Sequence, residues 1–186
     1  MRCFVAFDLP QPVRNHLGNV TAPLRERYDI RWVPPEQMHL TILFAGDIDG
    51  DGLDAIASAV DRFEPQPLTL SLQQLGVFPP KGMPRVVWAG LGGDVDAVRA
   101  AKDTFEAAAE PYGVPREKRA FTPHVTLGRV KSPLGALALI DQLAERSQGL
   151  KEKAFQATSL TLYESRLTPR GPRHEVVTRR ALGGAR

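Results

Sequence analysis

Met38-His39-Leu40-Thr41-Ile42-Leu43-Phe44-Ala45-Gly46 and Phe121-Thr122-Pro123-His124-Val125-Thr126-Leu127-Gly128-Arg129 decide how this chain is read. Each carries a histidine and a threonine two residues apart, with apolar residues between and after them. On a β-strand, side chains i and i+2 leave the same face. His39 and Thr41 therefore project together while Leu40 and Ile42 enter a core. The same holds for His124 and Thr126 against Val125 and Leu127. Two such hits among only four histidines (16, 39, 124 and 174) are a chance event on the order of a few per cent.

If the two strands face each other across a cleft, two imidazoles can flank one phosphate. A neutral histidine takes a proton from water and a protonated one gives a proton to the leaving oxygen. Imidazole titrates near neutrality, so both forms are accessible. Threonine hydroxyls can donate to the non-bridging oxygens as charge builds. A single copy of the motif would read better as a core histidine on a strand. The duplication favours chemistry.

Outward from the motifs, the chain reads as alternating strands and helices. Strands are expected at 4–9, 38–44, 68–77, 85–91, 125–130, 155–165 and 174–180. Helices are expected at 12–28, 53–63, 94–109 and 134–146. Pro23 should break or kink the first helix, and Asp94 is a plausible cap for the third. Asp47-Ile48-Asp49-Gly50 reads as a turn; no glutamate closes a calcium loop there. The order motif strand, turn, helix, strand, loop, strand occurs twice, over about 38–91 and 123–181. One domain of two lobes is expected, each lobe with an antiparallel sheet.

The 186 residues carry 42% hydrophobic and 24% charged residues, a globular composition. A lone Cys3 excludes an internal disulfide and any multi-cysteine zinc site. With no His-Glu-x-x-His pattern either, no metal or other cofactor is expected. No apolar run is long enough for a signal peptide or a membrane span, so the expectation is a cytoplasmic monomer without membrane partners. The net charge is +3. Arginines 166, 170, 173, 179, 180 and 186 crowd the end of the chain, and Arg116, Lys118 and Arg119 precede the second motif. Basic clusters near a candidate site suit a phosphate-rich partner such as RNA.

At these residues the sequence resembles the two-histidine phosphoesterases, and within them the RNA 2',3'-cyclic phosphodiesterases, also called 2'-5' RNA ligases. Further segments carry the likeness: Phe4-Val5-Ala6-Phe7-Asp8-Leu9-Pro10, Arg85-Val86-Val87-Trp88-Ala89-Gly90 and Leu160-Thr161-Leu162-Tyr163-Glu164-Ser165. The resemblance implies an α+β fold, bilobal with pseudo-twofold symmetry. Two antiparallel sheets would face a central cleft, with helices outside. It implies metal-independent hydrolysis of an RNA 2',3'-cyclic phosphate end, or of a cyclic nucleotide, to a 2'-phosphomonoester. The alternatives are ligation of such an end to a 5'-hydroxyl through the same centre, or RNA binding without turnover.

Carried over by position, His39, Thr41, His124 and Thr126 are the catalytic set; His124 is assigned as the base and His39 as the acid, although the near-symmetry of the motifs leaves the order open. Arg129 is implied to contact phosphate. Its strand parity is wrong for the cleft, unless a bulge at Gly128 turns it inward. Trp88 and Phe121 are candidates to flank the base, and Arg85 to meet the RNA backbone. Phe44 has the parity of a core residue. His16 and His174 are expected at the surface, His174 with the option of facing RNA.

Overall fold

The computed structural model describes residues 1–132, 135–150, 154–169 and 171–183. Leu134, the expected start of the fourth helix, lies outside them, as do Arg170 and Arg186 of the basic C-terminal segment. Nine strands and four α-helices are seen among the described residues. They are β1 (Arg2–Asp8), α1 (Gln11–Thr21), β2 (Ile30–Trp32), β3 (His39–Asp47), α2 (Gly50–Arg62), β4 (Thr69–Phe78), β5 (Val86–Gly93), α3 (Val95–Ala109), β6 (His124–Val130), α4 (Ala136–Ser147), β7 (Ala154–Gln156), β8 (Ser159–Thr168) and β9 (Gly171–Ala181).

Local chemistry explains most of the boundaries. The α-helix α1 stops at Thr21, and Pro23 sits in a short 3₁₀ turn, Ala22–Leu24, because proline cannot donate to a continuing helix. Asp49 caps α2, its side chain accepting from the Gly52 amide at 2.8 Å. Asp94 does not cap α3 through its side chain as expected. Its carboxylate accepts instead from the Thr69 amide at 2.8 Å and so ties α3 to the start of β4.

The strands form two antiparallel sheets, ordered β3-β1-β8-β9 and β2-β6-β5-β4-β7. Each motif strand lies at or next to an edge, and β3 and β6 run close to one another where the sheets meet. Helix α3 packs on β3, α4 on β4, and α2 on β8 and β9. One continuous core fills the space between, with Leu40, Ile42, Val125 and Leu127 all buried in it. No helix among the described residues is long and apolar enough to cross a membrane.

The expected order of elements is present in both spans, but neither span builds a sheet of its own. The hairpin β4–β5 joins β6, from the second half of the chain, and the hairpin β8–β9 joins β1 and β3, from the first. The units that correspond are β1-α1-β3-α2-β4 and β5-α3-β6-α4-β8. In both, the second strand pairs antiparallel with the first, and the first pairs with the last strand of the other unit. This exchange makes the two sheets interdependent, so neither unit can close its core alone.

Candidate active site

Both motif strands carry the same irregularity. In the β1–β3 ladder Ala6 lies opposite Thr41 and Val5 opposite Leu43, which leaves Ile42 as an extra residue. In the β5–β6 ladder Trp88 lies opposite Thr126 and Val87 opposite Gly128, which leaves Leu127 extra. A bulge of this kind shifts the parity of everything beyond it. The register then puts Phe44 opposite Phe4 and Arg129 opposite Val86. Both side chains leave the face from which the histidines and threonines project.

Two sequence expectations change as a result. The bulge that turns Arg129 inward is centred on Leu127, one residue before Gly128. Gly128 itself faces the core, where a Cβ would lie 2.6 Å from Cγ2 of Ile30. Phe44, expected in the core, is 67% exposed. Counting alternate residues misses it because the inserted residue, Ile42, is as apolar as its neighbours.

Each histidine is anchored by a carbonyl two residues before it. His124 Nδ1 lies 2.7 Å from the Thr122 carbonyl oxygen, and the Gln37 carbonyl plays the same part for His39. A carbonyl oxygen only accepts, so Nδ1 of His124 carries the proton and Nε2 is left free in the neutral ring. Each imidazole also rests on aromatic rings. His39 stacks on Phe4 at 4.8 Å between centroids, and Phe4 stacks in turn on Tyr163 at 5.1 Å and touches Phe44 at 5.9 Å. His124 meets the edge of Phe78 at 5.1 Å, and Phe78 stacks on Trp88 at 4.9 Å. Trp88 lies over Gly76, where a Cβ would come within 2.4 Å of the indole, so the glycine is what lets the ring lie flat on the sheet.

Burial pushes both imidazoles below their ordinary range. His39 falls to about 4; desolvation is the main cause, the neighbouring His174 adds to it, and Asp8 and the Gln37 carbonyl oppose it. His124 is lowered by desolvation against the pull of the Thr122 carbonyl. In the free protein at neutral pH both rings are therefore mainly uncharged. Thr41 and Thr126 are partly exposed beside them, free to donate from the same strand faces.

Behind His39 the sheet holds a polar cluster. The Asp8 carboxylate accepts from the hydroxyls of Ser159, Thr161 and Tyr163, each at 2.6 Å. Arg179 approaches it at 3.5 Å and donates to the Thr161 hydroxyl at 3.1 Å. Desolvation, then Asp8, push the Tyr163 phenol up to about 12, so it stays protonated. His174 joins this cluster, its ring 5.7 Å from His39 and 4.8 Å from Phe4. It is not the surface residue expected. Its neighbours reach it only through the pairing of β9 to β8 and β8 to β1, which no local pattern announces. For Asp8 there is a local signal, a carboxylate closing an otherwise apolar buried strand.

The remaining candidates divide. Trp88 stands beside His124, the rings 6.5 Å apart. Phe121 packs against the core with the Lys102 ammonium 5.7 Å from its ring centre. Lys102 is itself buried and paired with Glu106 on α3. One face of Phe121 is thus taken by the helix. Arg85 is exposed, but its carbonyl accepts from Val130, so it stands one residue out of step with Arg129 and on the opposite face. Arg31 of β2, not singled out in the sequence, lies directly opposite Arg129.

The twofold pattern also appears in comparison with known proteins. The LigT-like phosphoesterase profile matches the chain twice, at residues 7–88 and 94–174. The chain belongs to the LigT-like phosphoesterase family. Among its relatives is an RNA 2',3'-cyclic phosphodiesterase of Archaeoglobus fulgidus, 32% identical, with 92% of this chain and 95% of the relative covered. The protein of the same name from Methanocaldococcus jannaschii is 30% identical, with 95% and 98% covered. Among solved structures, TT0787 of Thermus thermophilus superimposes with a TM-score of 0.81 at 27% identity, over 98% of both chains. Escherichia coli LigT, solved with 3'-AMP, shares the fold with a TM-score of 0.74 at 22% identity, again over 98% of both chains. The first match runs from β1 into β5 and the second from the start of α3 into β9, with one motif histidine in each.

Proposed function

We propose that this LigT-like phosphoesterase hydrolyses 2',3'-cyclic phosphates at RNA ends to 2'-phosphomonoesters, using His39 and His124 as a proton-transfer pair without a metal. The observation that carries the reading is the pair of identically bulged strands. Each presents an imidazole locked by a carbonyl two residues back, a threonine hydroxyl, and a larger side chain beyond the bulge. The names of the relatives above point to the same substrate class.

In this reading the phosphate lies between β3 and β6. Water attacks phosphorus opposite the 3'-oxygen; one imidazole accepts a proton from the water while the other donates one to the departing 3'-oxygen. Thr41 and Thr126 donate to the non-bridging oxygens. Arg129 supplies positive charge there, helped by Arg31; two guanidiniums directly opposite on neighbouring strands repel one another until an anion joins them. Because burial lowers His39 more deeply than His124, the single proton of the working form resides on His124. His124 is then the donor and His39 the acceptor, the reverse of the order assigned from the sequence. The anionic phosphate, once bound, raises the proton affinity of both rings. Phe44 and Trp88, aromatic and on the cleft face of their sheets, are the surfaces on which a base can stack.

The test is incubation with adenosine 2',3'-cyclic phosphate in EDTA, with and without a 5'-hydroxyl acceptor, and identification of the product isomer. The 2'-phosphomonoester is the expected product. The 3'-isomer, or no turnover until a divalent metal is added, would overturn the mechanism.

A further inference from the structure

Beyond His39, on the side away from Phe44, the first sheet walls a cavity of about 450 Å³. Three arginines from two elements line it: Arg14 of α1, and Arg173 and Arg179 of β9. Arg14 is held in place by donating from Nη1 to the Glu36 carbonyl at 3.2 Å, yet its Nε is buried with no partner among the described residues. His174 Nδ1, also in the lining, is likewise buried and unpartnered there. Arg173 is exposed, and Arg166 already engages both Glu164 on its own strand and Glu175 across the strand pair. Of the two carboxylates in the lining, Asp8 is committed to three hydroxyls and Arg179, and Glu36 is exposed to water. A buried guanidinium Nε with no partner among the described residues, in a cavity lined by three arginines, calls for an anion.

The cavity opens beside His39, so its occupant belongs to the molecule whose phosphate reacts there. A 2',3'-cyclic phosphate ends the RNA chain, and no nucleotide follows it. The nearest other phosphate of such a substrate is the phosphodiester on the 5' side of the terminal nucleotide. The geometry points to the cavity of Arg14, Arg173 and Arg179 as the subsite for that upstream phosphodiester, which makes the substrate an RNA end in preference to a mononucleotide. This rests on the cyclic-phosphate reading above.

The test compares three substrates: adenosine 2',3'-cyclic phosphate, the dinucleotide ApA ending in the same cyclic phosphate, and that dinucleotide with a neutral methylphosphonate linkage. The natural dinucleotide is expected to show kcat/KM at least roughly tenfold above the methylphosphonate, the effect of one lost charge-assisted contact. In the double variant Arg14→Gln/Arg173→Ala the two dinucleotides should become alike, while circular dichroism reports an intact fold. Discrimination that persists in the double variant overturns the subsite. So does discrimination that disappears in Arg31→Ala instead, since that would put the upstream phosphate on the other sheet. If the unaltered protein discriminates between none of the three yet hydrolyses them all, the subsite falls and the phosphodiesterase reading stands. If it hydrolyses none of them, the phosphodiesterase reading itself falls, and the subsite with it.

Discussion

The half of the cleft built on β3 and the half built on β6 use one strand device with different side chains. Both begin with an imidazole pinned by a carbonyl two residues earlier, follow with a threonine, and bulge at the next residue. Past the bulge they part. The first half presents Phe44 over Phe4 and Tyr163; the second presents Arg129 opposite Arg31. The half with Phe44 also keeps its histidine drier and surrounds it with Asp8, Tyr163 and His174. On the proposed mechanism this symmetric scaffold would serve the symmetric part of the reaction, two proton transfers about one phosphorus. The asymmetric parts, recognition of a base and of negative charge, would fall to the position five residues past each histidine, Phe44 in one strand and Arg129 in the other. The difference teaches that duplicated strands can specialise without any change in the backbone device they share.

The shared device is tested by the largest expected effects. His39→Ala and His124→Ala should each lower kcat by roughly 10²–10⁴-fold with the fold retained, because each removes one partner in proton transfer. Near-normal turnover in either variant would break the symmetry at its centre. The halves should then separate at the next position. Arg129→Ala should lower kcat/KM roughly ten- to a hundredfold on any cyclic phosphate, with or without a base. Phe44→Ala should cost less, about five- to tenfold, and only on substrates that carry a base, since stacking needs one. Equal losses from Phe44→Ala on adenosine cyclic phosphate and on a base-free ribose cyclic phosphate would remove Phe44 from recognition.

The two halves also differ in how they should answer to pH. Both imidazoles lie below their ordinary range in the free protein, and His39 lies near 4. The working form has one ring protonated, so kcat/KM should be highest on the acid side and fall about tenfold per pH unit beyond the upper apparent value of the coupled pair. A rate that climbs toward pH 9 and needs added metal would contradict this. Stability should run the other way. Protons bind the unfolded histidine more readily than the folded one. The stabilisation from burying neutral His39 is therefore full above about pH 6.5 and is lost as pH falls toward about 4.

The smallest expected effect lies behind His39. Asp8→Asn removes a charge that raises the proton affinity of His39 and of Tyr163. The His39 titration should move lower still and that of Tyr163 back down toward its ordinary value. NMR titration of the two rings measures this, and unmoved titrations would detach Asp8 from the site.

Much of this is legible in the sequence because the signals are local. Alternation marks the motif strands, and Pro23 marks the end of α1. What stays hidden depends on contacts between distant segments. A bulge inserts one apolar residue among others, so Ile42 and Leu127 look like ordinary strand positions, and simple alternation puts Phe44 on the wrong face. His174 and Arg31 acquire their neighbours only when β9 pairs with β8 and β2 with β6. The exchange of hairpins between the halves is hidden for the same reason: β-pairing across the chain leaves no mark in either partner's periodicity.

The most direct test of the central account, two imidazoles sharing one phosphate, is an NMR titration of the histidine rings with and without 2'-AMP. Free, both His39 and His124 should titrate below the ordinary histidine value, with His39 the lower. On binding, both should shift together, with at least one moving up as the phosphate dianion holds its proton. A nucleotide that perturbs one of the two histidines and leaves the other unmoved would contradict the account.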